Sequence, residues 1–462
     1  MVERPRSGLV MSVSSIWWGE ARATGLQILS AAPGEGSYHS SCMVLGFART
    51  SRSGRIPPPG AHLMSAFLRL PGLTPELRAS FFHFFSYAGG AVASVYFGIW
   101  LHEKGMTNDQ IGIINAMPVL VMLIINQFIG RIADRASDWR QALVIMALLA
   151  GTIPIGMLFV DSFWGILLIW TMLTIPAGLI PSVLDAATLR MTQRNGTDFG
   201  FVRAWGTVGY TFWAALAGLL IARFGSAAFM PIFVVVCLAR AGVALQLPRF
   251  RGEKREPVVS QVKPRASRLR EVLKPWFVLP IVAFACLQAT HSILGSFAAL
   301  IWKDNGISEA FIGPLIATAP AAEAAMMFVW RRFGGRVSAR HMILIATIAC
   351  IVRWSLMALN PPVWALFFLQ SMHAFTYALG YFGLVHFIAN WTSEDIAAQA
   401  QGFAFVVQQA LVVVTLLGFG WAVSSMGAHA FFFAAGFGVV ALCCVVTSLM
   451  LKPTKSEMAA AH

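Results

Sequence analysis

The feature that most constrains this chain is a series of apolar runs, each about 20 residues long, that recurs twelve times after residue 78. A helix of that length rises about 30 Å, the thickness of bilayer hydrocarbon, and it satisfies its own backbone hydrogen bonds in lipid. The runs therefore predict membrane-spanning helices at 79–101, 109–130, 140–160, 164–189, 200–222, 226–247, 275–301, 308–330, 340–359, 363–389, 399–424 and 428–451. Charged residues make up only 12% of the chain, against about 25% in soluble proteins, so we expect an all-α integral membrane protein.

The longest polar stretch between predicted spans separates the sixth span from the seventh and divides the chain into two halves of six spans each. Two such repeats are typical of proteins that bind a solute near the bilayer midplane. We predict a non-structural N-terminal extension, a first six-helix bundle, a basic linker, a second six-helix bundle and a short tail, at 1–77, 78–248, 249–274, 275–451 and 452–462. Met64 is expected to be the true start, because the apolar runs before it are too short to span a bilayer.

Lysine and arginine are distributed unevenly among the connections, and this asymmetry predicts the orientation of the chain. The odd-numbered connections offer only Lys104, Arg223 and Lys303. The even-numbered connections carry nine basic residues between 249 and 274, and also Arg131, Arg135, Arg140, Arg190, Arg194, Arg331, Arg332, Arg336 and Arg340. Basic loops stay in the cytoplasm, so both termini are predicted to be cytoplasmic and the chain to cross the cytoplasmic (inner) membrane many times. The net charge of +14 reflects this topology, since no nucleic-acid-binding motif accompanies it.

Two opposite charges lie inside apolar runs on either side of one short connection. Asp185 lies nine residues before Arg194, and Arg203 lies nine residues after it. If the connection is the tip of an antiparallel helical hairpin, the two charges are at the same depth in the membrane. A lone charge there costs about 2.5–3.5 kcal/mol, so the pattern predicts that Asp185 and Arg203 neutralise each other. Such a pair either pins the hairpin or forms part of a functional site.

No motif in the sequence points to an enzyme, a metal site or a bound cofactor. The six cysteines show no C-x-x-C spacing, and five of them lie in apolar segments, which is typical of packing residues. The sequence contains no nucleophile elbow, P-loop or H-E-x-x-H motif. We therefore expect no catalytic activity.

The connection between the second and third spans, GRIADRASDWR, begins at Gly130 and resembles the G-x-x-x-D-R-x-G-R-R signature of the major facilitator superfamily. The second glycine of that signature is Ser137 here, and the stretch RRFGGRVSAR at 331–340 is a weaker second copy. The resemblance implies two six-helix bundles that rock about a central site. It assigns Gly130, Asp134 and Arg135 to a gate clasp at the cytoplasmic edge.

Within that superfamily, residues 79–451 are similar to the phenylpropionate permease branch, which is related to the lactose permease group of oligosaccharide:proton symporters. The strings that carry this resemblance are FGIWLHEKGMTNDQIGII, FGFVRAWGTVGY, SAR and IVRW. The resemblance implies that Asp185 occupies the position of a substrate-binding glutamate and Arg203 that of its arginine partner. Tyr210 replaces a tryptophan that stacks on the sugar ring, and a tyrosine still offers an aromatic face.

In the second half, the same resemblance places Glu323 and Arg353 on an acidic and a basic position of the eighth and ninth spans. Arg353 lies thirteen residues into its span, near the bilayer middle, so it needs an anionic partner. Glu323 is the expected partner, and a carboxylate of the solute is the alternative. His373, in LQSMHAFTYALGY, aligns with a family histidine, while Gln370 and Thr376 replace a lysine and a proton-carrying carboxylate.

The candidate proton carriers are the ionisable groups predicted at the centre of the membrane. An imidazole has an unperturbed pKa of about 6.5 and can accept a transported proton, so His373 is considered beside the carboxylates of Asp185 and Glu323. The lesser candidates for the site are His291, Gln288 and Arg240.

These observations predict a secondary active transporter: a proton-coupled symporter that takes up a small organic solute, such as an aromatic acid, by alternating access. The alternatives are a drug/proton antiporter, a sugar or nucleoside symporter, and a membrane sensor that binds solute without moving it. The expected partners are a small-molecule substrate and the lipid bilayer, with no nucleic acid, and the protein is expected to be a monomer. A proton gradient would supply the energy, so no cofactor is expected.

Overall fold

A computed structural model describes residues 73–135, 139–250, 273–333, 337–392 and 394–451. Every regular element in these ranges is helical, as the apolar runs predict. The predicted extension, linker and tail, at 1–77, 249–274 and 452–462, lie almost entirely outside the described residues.

The described residues of the first half form seven α-helices. They are α1 (Pro75–Ser86), α2 (Ala88–Glu103), α3 (Asn108–Arg135), α4 (Trp139–Thr152), α5 (Phe163–Asn195), α6 (Phe199–Phe224) and α7 (Phe229–Ala244). Helices α1 and α2 follow one another at Tyr87 and form one apolar stretch. Helix α4 ends just before Pro154, and the chain continues as the 3₁₀ helix Ile153–Leu158, because a proline cannot donate the next backbone hydrogen bond.

The described residues of the second half form eight α-helices. They are α8 (Pro275–Ile293), α9 (Ala299–Asp304), α10 (Glu309–Phe333), α11 (Ala339–Met357), α12 (Val363–Ser371), α13 (Gly380–Trp391), α14 (Glu394–Met426) and α15 (Phe431–Met450). Two π-helices interrupt them. Leu294–Ala298 joins α8 to α9, and Ala374–Leu379 leads into α13. Such π-helical turns are rare and occur frequently at functional sites.

Ten stretches of the described chain are long and apolar enough to cross a membrane, judged by length and composition. One of them, Gln399–Met450, contains most of α14 and all of α15, which meet at the 3₁₀ turn Gly427–Ala430. Helices α12 and α13 lie outside these ten stretches, although a helical segment overlaps every predicted span. The chain is thus a multi-pass helical membrane protein.

The predicted hairpin is present, but its tip lies at 196–198, about three residues later than the predicted centre at Arg194. Helix α5 ends at Asn195, and Gly196 adopts a left-handed backbone conformation with φ 68°, which glycine reaches without steric cost. The Asp198 side chain then accepts hydrogen bonds from the backbone nitrogens of Gly200 and Phe201 and caps α6. Three residues therefore reverse the chain, and α5 and α6 run antiparallel from a common tip.

The helices of the two halves pack in matching pairs. In the first half α1 packs against α6, α4 against α7, and α5 against both α3 and α4. The corresponding pairs in the second half are α8 with α14, α11 with α15, α12 with α10, and α13 with α11. Contacts between the halves run along α3 with α14, α6 with α10, and α2 with α9. The functional side chains described below lie on the helices at this boundary and next to it.

One pair of arginines shows the same repeat at the level of side chains. Arg140 at the start of α4 donates from Nη2 to the carbonyl oxygen of Leu245 at 3.0 Å, just after α7. Arg340 at the start of α11 donates from Nη1 to the carbonyl oxygen of Ser448 at 2.7 Å, in the last turn of α15. Carbonyl groups at a helix C-terminus lack intrahelical donors and attract positive charge. Each guanidinium therefore fastens the last helix of its half to the third span of that half.

Candidate functional site

The ion pair predicted from the hairpin is present. Arg203 Nε lies 2.8 Å from Asp185 Oδ1, with the arginine side chain 3% exposed and the aspartate side chain 13% exposed. The same guanidinium donates from Nη2 to the Tyr87 hydroxyl at 2.5 Å, and its carbon lies 5.0 Å from the centroid of that ring. The arginine is enclosed, while its carboxylate partner keeps an accessible edge. The predicted pairing of Asp185 with Arg203 is confirmed.

Two further members of this cluster, His83 and Tyr87, were not predicted. The His83 ring is fully buried on α1, with Nε2 3.1 Å from Thr188 Oγ1 and Nδ1 4.0 Å from Asp185 Oδ1. Both residues lie in the aromatic string FFHFFSY, which resembles an ordinary lipid-facing or packing segment. The signal that was available is their spacing, because polar groups four residues apart lie on one face of a helix.

Tyr210 lies in the same half but outside the direct contacts of Asp185 and Arg203. Its hydroxyl donates to Ser94 Oγ at 3.0 Å and so links α6 to α2. Seven residues separate it from Arg203, which corresponds to about 10 Å along the helix. Its predicted role in stacking against a solute stays a prediction, and it would require a solute that extends over that distance.

Arg353 is fully buried on α11, and neutral groups surround its guanidinium. Nη2 donates to Gln370 Oε1 at 2.6 Å, and Nη1 donates to Thr376 Oγ1 at 3.0 Å and lies 3.3 Å from His291 Nε2. The Trp354 ring centroid lies 4.8 Å from the guanidinium carbon. Within the part of the chain that the structure describes, no ion pair involves Arg353.

The predicted pairing of Arg353 with Glu323 is therefore wrong. Glu323 Oε2 lies 3.5 Å from His373 Nε2 instead. The order of the helices explains the difference: the π-helix Ala374–Leu379 packs against α10 on one side and against α11 on the other. The span that carries His373 thus lies between the glutamate and the arginine. The need of a buried arginine for an anionic partner does not reveal which helix intervenes.

Hydrogen bonds fix His291 as a neutral ring. Its Nδ1 lies 2.6 Å from the carbonyl oxygen of Leu287, which can only accept, so Nδ1 carries the hydrogen. Its Nε2 faces the Arg353 guanidinium, which can only donate, and lies 2.9 Å from Thr376 Oγ1, so Nε2 accepts. A second proton on His291 would oppose the arginine, and the ring is better suited to holding Arg353 than to carrying a proton.

The second half thus contains a continuous line of polar side chains, Glu323, His373, His291 and Arg353. The ring centroids of His373 and His291 are 4.9 Å apart. The contact of Glu323 with His373 forms one end of the line, and the contact of His291 with Arg353 forms the other. The side chains of Glu323 and His373 are 18% and 12% exposed, whereas Arg353 is fully buried. A solute would therefore reach the carboxylate and the first imidazole before the arginine.

The clusters of the two halves face each other. Helix α6, which carries Arg203, packs along α10, which carries Glu323. The Glu323 carboxylate lies within Coulombic range of Arg203 and of the Tyr87 hydroxyl. Glu323 and the pair Asp185–Arg203 therefore lie close together across the boundary between the halves, His373 adjoins Glu323, and Arg353 lies deeper in the second half.

Arg240, a lesser candidate, serves the packing of the first half. It is 2% exposed, and its Nη2 donates to the carbonyl oxygen of Ala150 at 2.9 Å. That bond ties α7 to α4. Within the described residues, this hydrogen bond connects Arg240 to the backbone of its own half and to none of the candidate site side chains.

At one end of the molecule, glycines bring the two halves into close contact. A Cβ atom on Gly218 of α6 would lie 2.7 Å from the Cα of Gly313 on α10, and a Cβ on Gly98 would overlap the carbonyl oxygen of Ser296. Real Cβ atoms almost never approach other atoms so closely, and helices meet at this distance only where side chains are absent. The halves are sealed at this end.

Beyond these glycines lies a charged cluster that we call the Lys303 latch, made of Tyr96, Glu103, Lys303 and Glu309. Lys303 Nζ lies 2.8 Å from Glu103 Oε1 in the first half and 2.9 Å from Glu309 Oε1 in its own half. The Tyr96 hydroxyl accepts from Lys303 Nζ at 2.7 Å and lies 3.0 Å from Glu309 Oε1. The latch therefore joins α2 to α9 and α10 across the boundary between the halves.

The predicted gate clasp belongs to the opposite end of the helices. Helix α3 continues through Gly130 to Arg135. The side chains of Asp134 and Arg135 lie outside the described residues, so their assignment to a clasp stays a prediction.

Comparison with known families agrees with this architecture. A family model described as "MFS_1 like family" matches residues 76–433, which include both polar clusters and the Lys303 latch. The chain belongs to this family of the major facilitator superfamily. It is therefore a multi-pass membrane transporter, and this family is not a class of enzymes.

Individual relatives differ in what they transport. The chain is 28% identical over 355 residues to the "Probable 3-phenylpropionic acid transporter" of Escherichia coli (strain K12), which covers 73% of this chain and 87% of that protein. It is 24% identical over 290 residues to the "Maltose permease" of Geobacillus stearothermophilus, over 62% of this chain and 71% of the permease. These relatives indicate the family and leave the solute of this chain open.

Solved structures show the same fold at low sequence identity. The nucleoside transporter NupG superposes with a TM-score of 0.69 at 15% identity, covering 82% of this chain and 100% of that chain. A D-xylose-proton symporter superposes with a TM-score of 0.62 at 13% identity, covering 83% of this chain and 98% of that chain. The helical architecture is that of major facilitator transporters.

Proposed function

We propose that this protein is a proton-coupled symporter of the inner membrane that takes up a small organic solute with a carboxylate, such as an aromatic acid. In this proposal the chain crosses the membrane twelve times with both termini in the cytoplasm and acts as a monomer. The observation that carries it is the set of two acidic and two basic side chains at and next to the boundary between the halves, among which, in the described residues, only Asp185 and Arg203 form an ion pair with each other.

The charges of this group explain why a proton would accompany the solute. With Asp185, Arg203, Glu323 and Arg353 ionised, the site has no net charge. A carboxylate that enters alone adds one negative charge in an apolar region, where an unpaired charge costs several kcal/mol. One proton on Glu323 or Asp185 restores neutrality, so proton and anion bind best together. Glu323 is the favoured carrier because it is accessible and because His373 adjoins it as a relay.

Alternating access requires a conformation that is open at each end in turn. The Lys303 latch lies at the odd-numbered connections, which the distribution of basic residues places outside the cell. With this orientation, we infer that the conformation described here is the one closed toward the outside. Opening outward would separate Lys303 from Glu103 and part the glycine contacts of α6 and α10.

A sugar or nucleoside symporter is the second candidate, and one observation favours it. Arg203 is already paired with Asp185, and Arg353 is fully buried among neutral groups. A neutral solute could bind without disturbing either arginine. The names of the relatives and structural neighbours, which include a maltose permease, a nucleoside transporter and a D-xylose-proton symporter, keep this class in the test.

The decisive experiment is uptake into proteoliposomes with and without an inwardly directed proton gradient. The probes are 3-phenylpropionate, maltose, D-xylose and a nucleoside. We expect 3-phenylpropionate or another aromatic acid to accumulate only with the gradient, and Asp185→Asn or Glu323→Gln to abolish that accumulation. Asp161→Asn is the matched control, because the carboxylate of Asp161 is 77% exposed and lies outside the site.

Each other outcome rejects a part of the proposal. Accumulation of a sugar or nucleoside instead would favour the second candidate. Export of the probe driven by protons that move in the opposite direction would identify an antiporter. Saturable binding without transport would identify a sensor. A variant of Asp185 or Glu323 that keeps full proton-driven accumulation would exclude that residue as the proton carrier.

A further inference from the structure

One residue of helix α2 is exposed, although every other residue from Ala88 to Leu101 is buried. That residue is Gly90. A Cβ atom added to Gly90 would meet no atom of the described residues within 4 Å, so this glycine borders open space. Its neighbour Gly89 differs, because a Cβ atom there would lie 3.1 Å from Cys237 Sγ on α7. The packing around this part of α2 therefore has a gap, and the gap lies at Gly90.

Helical spacing places Gly90 on a face of the helix that points into the protein. The Tyr87 carbonyl oxygen accepts a backbone hydrogen bond at 2.9 Å from the residue four positions later, so helical geometry continues across the junction of α1 and α2. Tyr87, Gly90 and Ser94 are then three and four residues apart, which is the spacing of one helix face. The Tyr87 hydroxyl binds Arg203, and the Ser94 hydroxyl binds Tyr210. Both neighbours of Gly90 on this face thus contact α6, and Gly90 lies between them.

Neither backbone conformation nor close packing requires a glycine at this position. Gly90 is not among the glycines with positive φ, so an alanine can adopt the same backbone conformation. Glycine in the interior of a helix is less stable than alanine. Where close packing requires a glycine, a Cβ atom would collide with a neighbour, as at Gly209, where it would overlap the carbonyl oxygen of Phe84. At Gly90, the missing side chain instead leaves a space on an interior face that the described residues do not fill.

We propose that Gly90 determines the size of the solute that the site accepts, because the apolar body of the solute lies against this open face. The inference rests on the proposed function for the existence of a solute. Gly90 lies about 4.5 Å from Tyr87 and about 6 Å from Ser94 along the helix axis. A solute that binds beside Arg203 at one end and reaches Tyr210 at the other therefore lies over Gly90. Since glycine offers no charge and no polar side chain, the part of the solute at this point is its ring or hydrocarbon body.

Cysteine labelling tests whether the space at Gly90 is open to water and is filled by a solute. Gly90→Cys and Ala91→Cys are made in a background without native cysteines and reconstituted in lipid nanodiscs, where both ends of the protein meet buffer. A charged thiol reagent should label Gly90→Cys at least about tenfold faster than Ala91→Cys, because Ala91 is 0% exposed. The probes are 3-phenylpropionate, propionate, maltose and D-xylose, and at about ten times its Kd one of them should slow that labelling about tenfold. Equal labelling of the two cysteines, or no slowing by any probe, would overturn the inference.

Side chains of increasing size at Gly90 test the selection of solutes by size. The probe pairs are 3-phenylpropionate with propionate and maltose with D-xylose. For one pair, Gly90→Leu should weaken binding of the larger probe at least about tenfold and that of the smaller less than about threefold, with Gly90→Ala between Gly90→Leu and wild type. Gly436→Leu is the matched control, because a Cβ atom there also meets nothing within 4 Å, but Gly436 shares an exposed face of α15 with Phe432. It should leave binding unchanged. If Gly90→Leu binds both members of each pair as the wild type does, Gly90 does not select for size.

A folding defect and a failure of transport can both be distinguished from a failure of this inference. Gly90→Ala displaces no described atom and has the higher helix propensity, so its unfolding temperature should not fall. A fall would show that Gly90 serves packing, and the inference would be wrong. Protection of Gly90→Cys by a probe without proton-driven uptake would reject the symport mechanism and leave the role of Gly90 standing. Proton-driven uptake of a probe that does not protect Gly90→Cys would reject the role of Gly90 and leave the symport mechanism standing.

Discussion

Removing the carboxylate of Asp185 should destabilise the protein more than removing the whole ion pair. The Arg203 side chain is 3% exposed, so water cannot replace the lost carboxylate in Asp185→Asn. At 2.8 Å the direct attraction is about 6 kcal/mol for an effective dielectric constant of about 20, much of it offset by desolvation. Loss of one partner from a buried pair costs about 3–5 kcal/mol. Because the Tyr87 hydroxyl still accepts from Arg203, we expect about 3 kcal/mol.

The assay is thermal unfolding in detergent, followed by tryptophan fluorescence. If the first half of the chain unfolds as a unit of about 150–250 residues, a loss of about 3 kcal/mol corresponds to a fall of about 6–12 °C in its unfolding temperature. Asp185→Asn combined with Arg203→Gln should recover part of that fall, since the double variant leaves no unpaired charge. Asp161→Asn, whose carboxylate pairs with Lys104 at the surface, should shift the unfolding temperature by less than about 3 °C.

Two results would refute the reasoning. If Asp185→Asn unfolds at the wild-type temperature, the pair contributes nothing that the asparagine cannot supply. If the double variant loses as much as the two single variants together, the charges act independently, and the ion pair does not explain how either charge tolerates burial.

Three further predictions concern transport. Glu323→Gln should bind a carboxylate probe equally well in mildly acidic and mildly alkaline buffer, because the glutamine fixes the charge state that a proton would otherwise create; pH-dependent binding in that variant would exclude Glu323. Lys303→Gln removes both ion pairs of the latch. In a background without native cysteines, it should increase several-fold the labelling of a cysteine introduced at Ser296 by a membrane-impermeant thiol reagent added from outside. Unchanged labelling would mean that the latch does not hold the closed state. Uptake of an anionic solute with one proton moves no net charge, so an imposed membrane potential should leave its initial rate unchanged while a pH gradient increases it; a rate that follows the potential would require another stoichiometry.

The helices and one half of the site could be predicted from the sequence because both depend on local information. Apolar runs of fixed length specify spans, and a hairpin with a three-residue turn fixes the relative depth of the positions on either side. Asp185 lies eleven residues before Gly196 and Arg203 lies five residues after Asp198. The equal spacing about Arg194 therefore placed the tip of the hairpin about three residues too early, although the contact that it predicted is present. The cap at Asp198 and the glycine at 196 are visible in the sequence as well.

The contacts of the second half could not be predicted in the same way. Glu323 and Arg353 lie on consecutive spans, but the helices that carry them are separated by the span that follows, and that order is a property of the tertiary fold. The stacking of His373 on Tyr377 has the four-residue spacing of one helix face, but the spacing does not show that His291 of another span lies on the other side of His373. His83 lies among phenylalanines, so the signal that points to it is only its four-residue spacing from Tyr87, which places both side chains on one helix face.

The two halves therefore stabilise their buried arginines by different means, and the difference bears on where a proton can act. Arg203 has its own carboxylate, so the first half is neutral within itself. Arg353 is held only by the dipoles of Gln370, Thr376 and His291, which accept its hydrogen bonds without cancelling its charge. Within the line of polar side chains, the nearest negative charge that can compensate Arg353 is the carboxylate of Glu323, and the rings of His291 and His373 lie between them. A proton on Glu323 thus leaves an excess positive charge in the second half that an anionic solute can neutralise, whereas a proton on Asp185 would first have to break an existing ion pair. The asymmetry favours Glu323 as the group at which proton and solute are coupled.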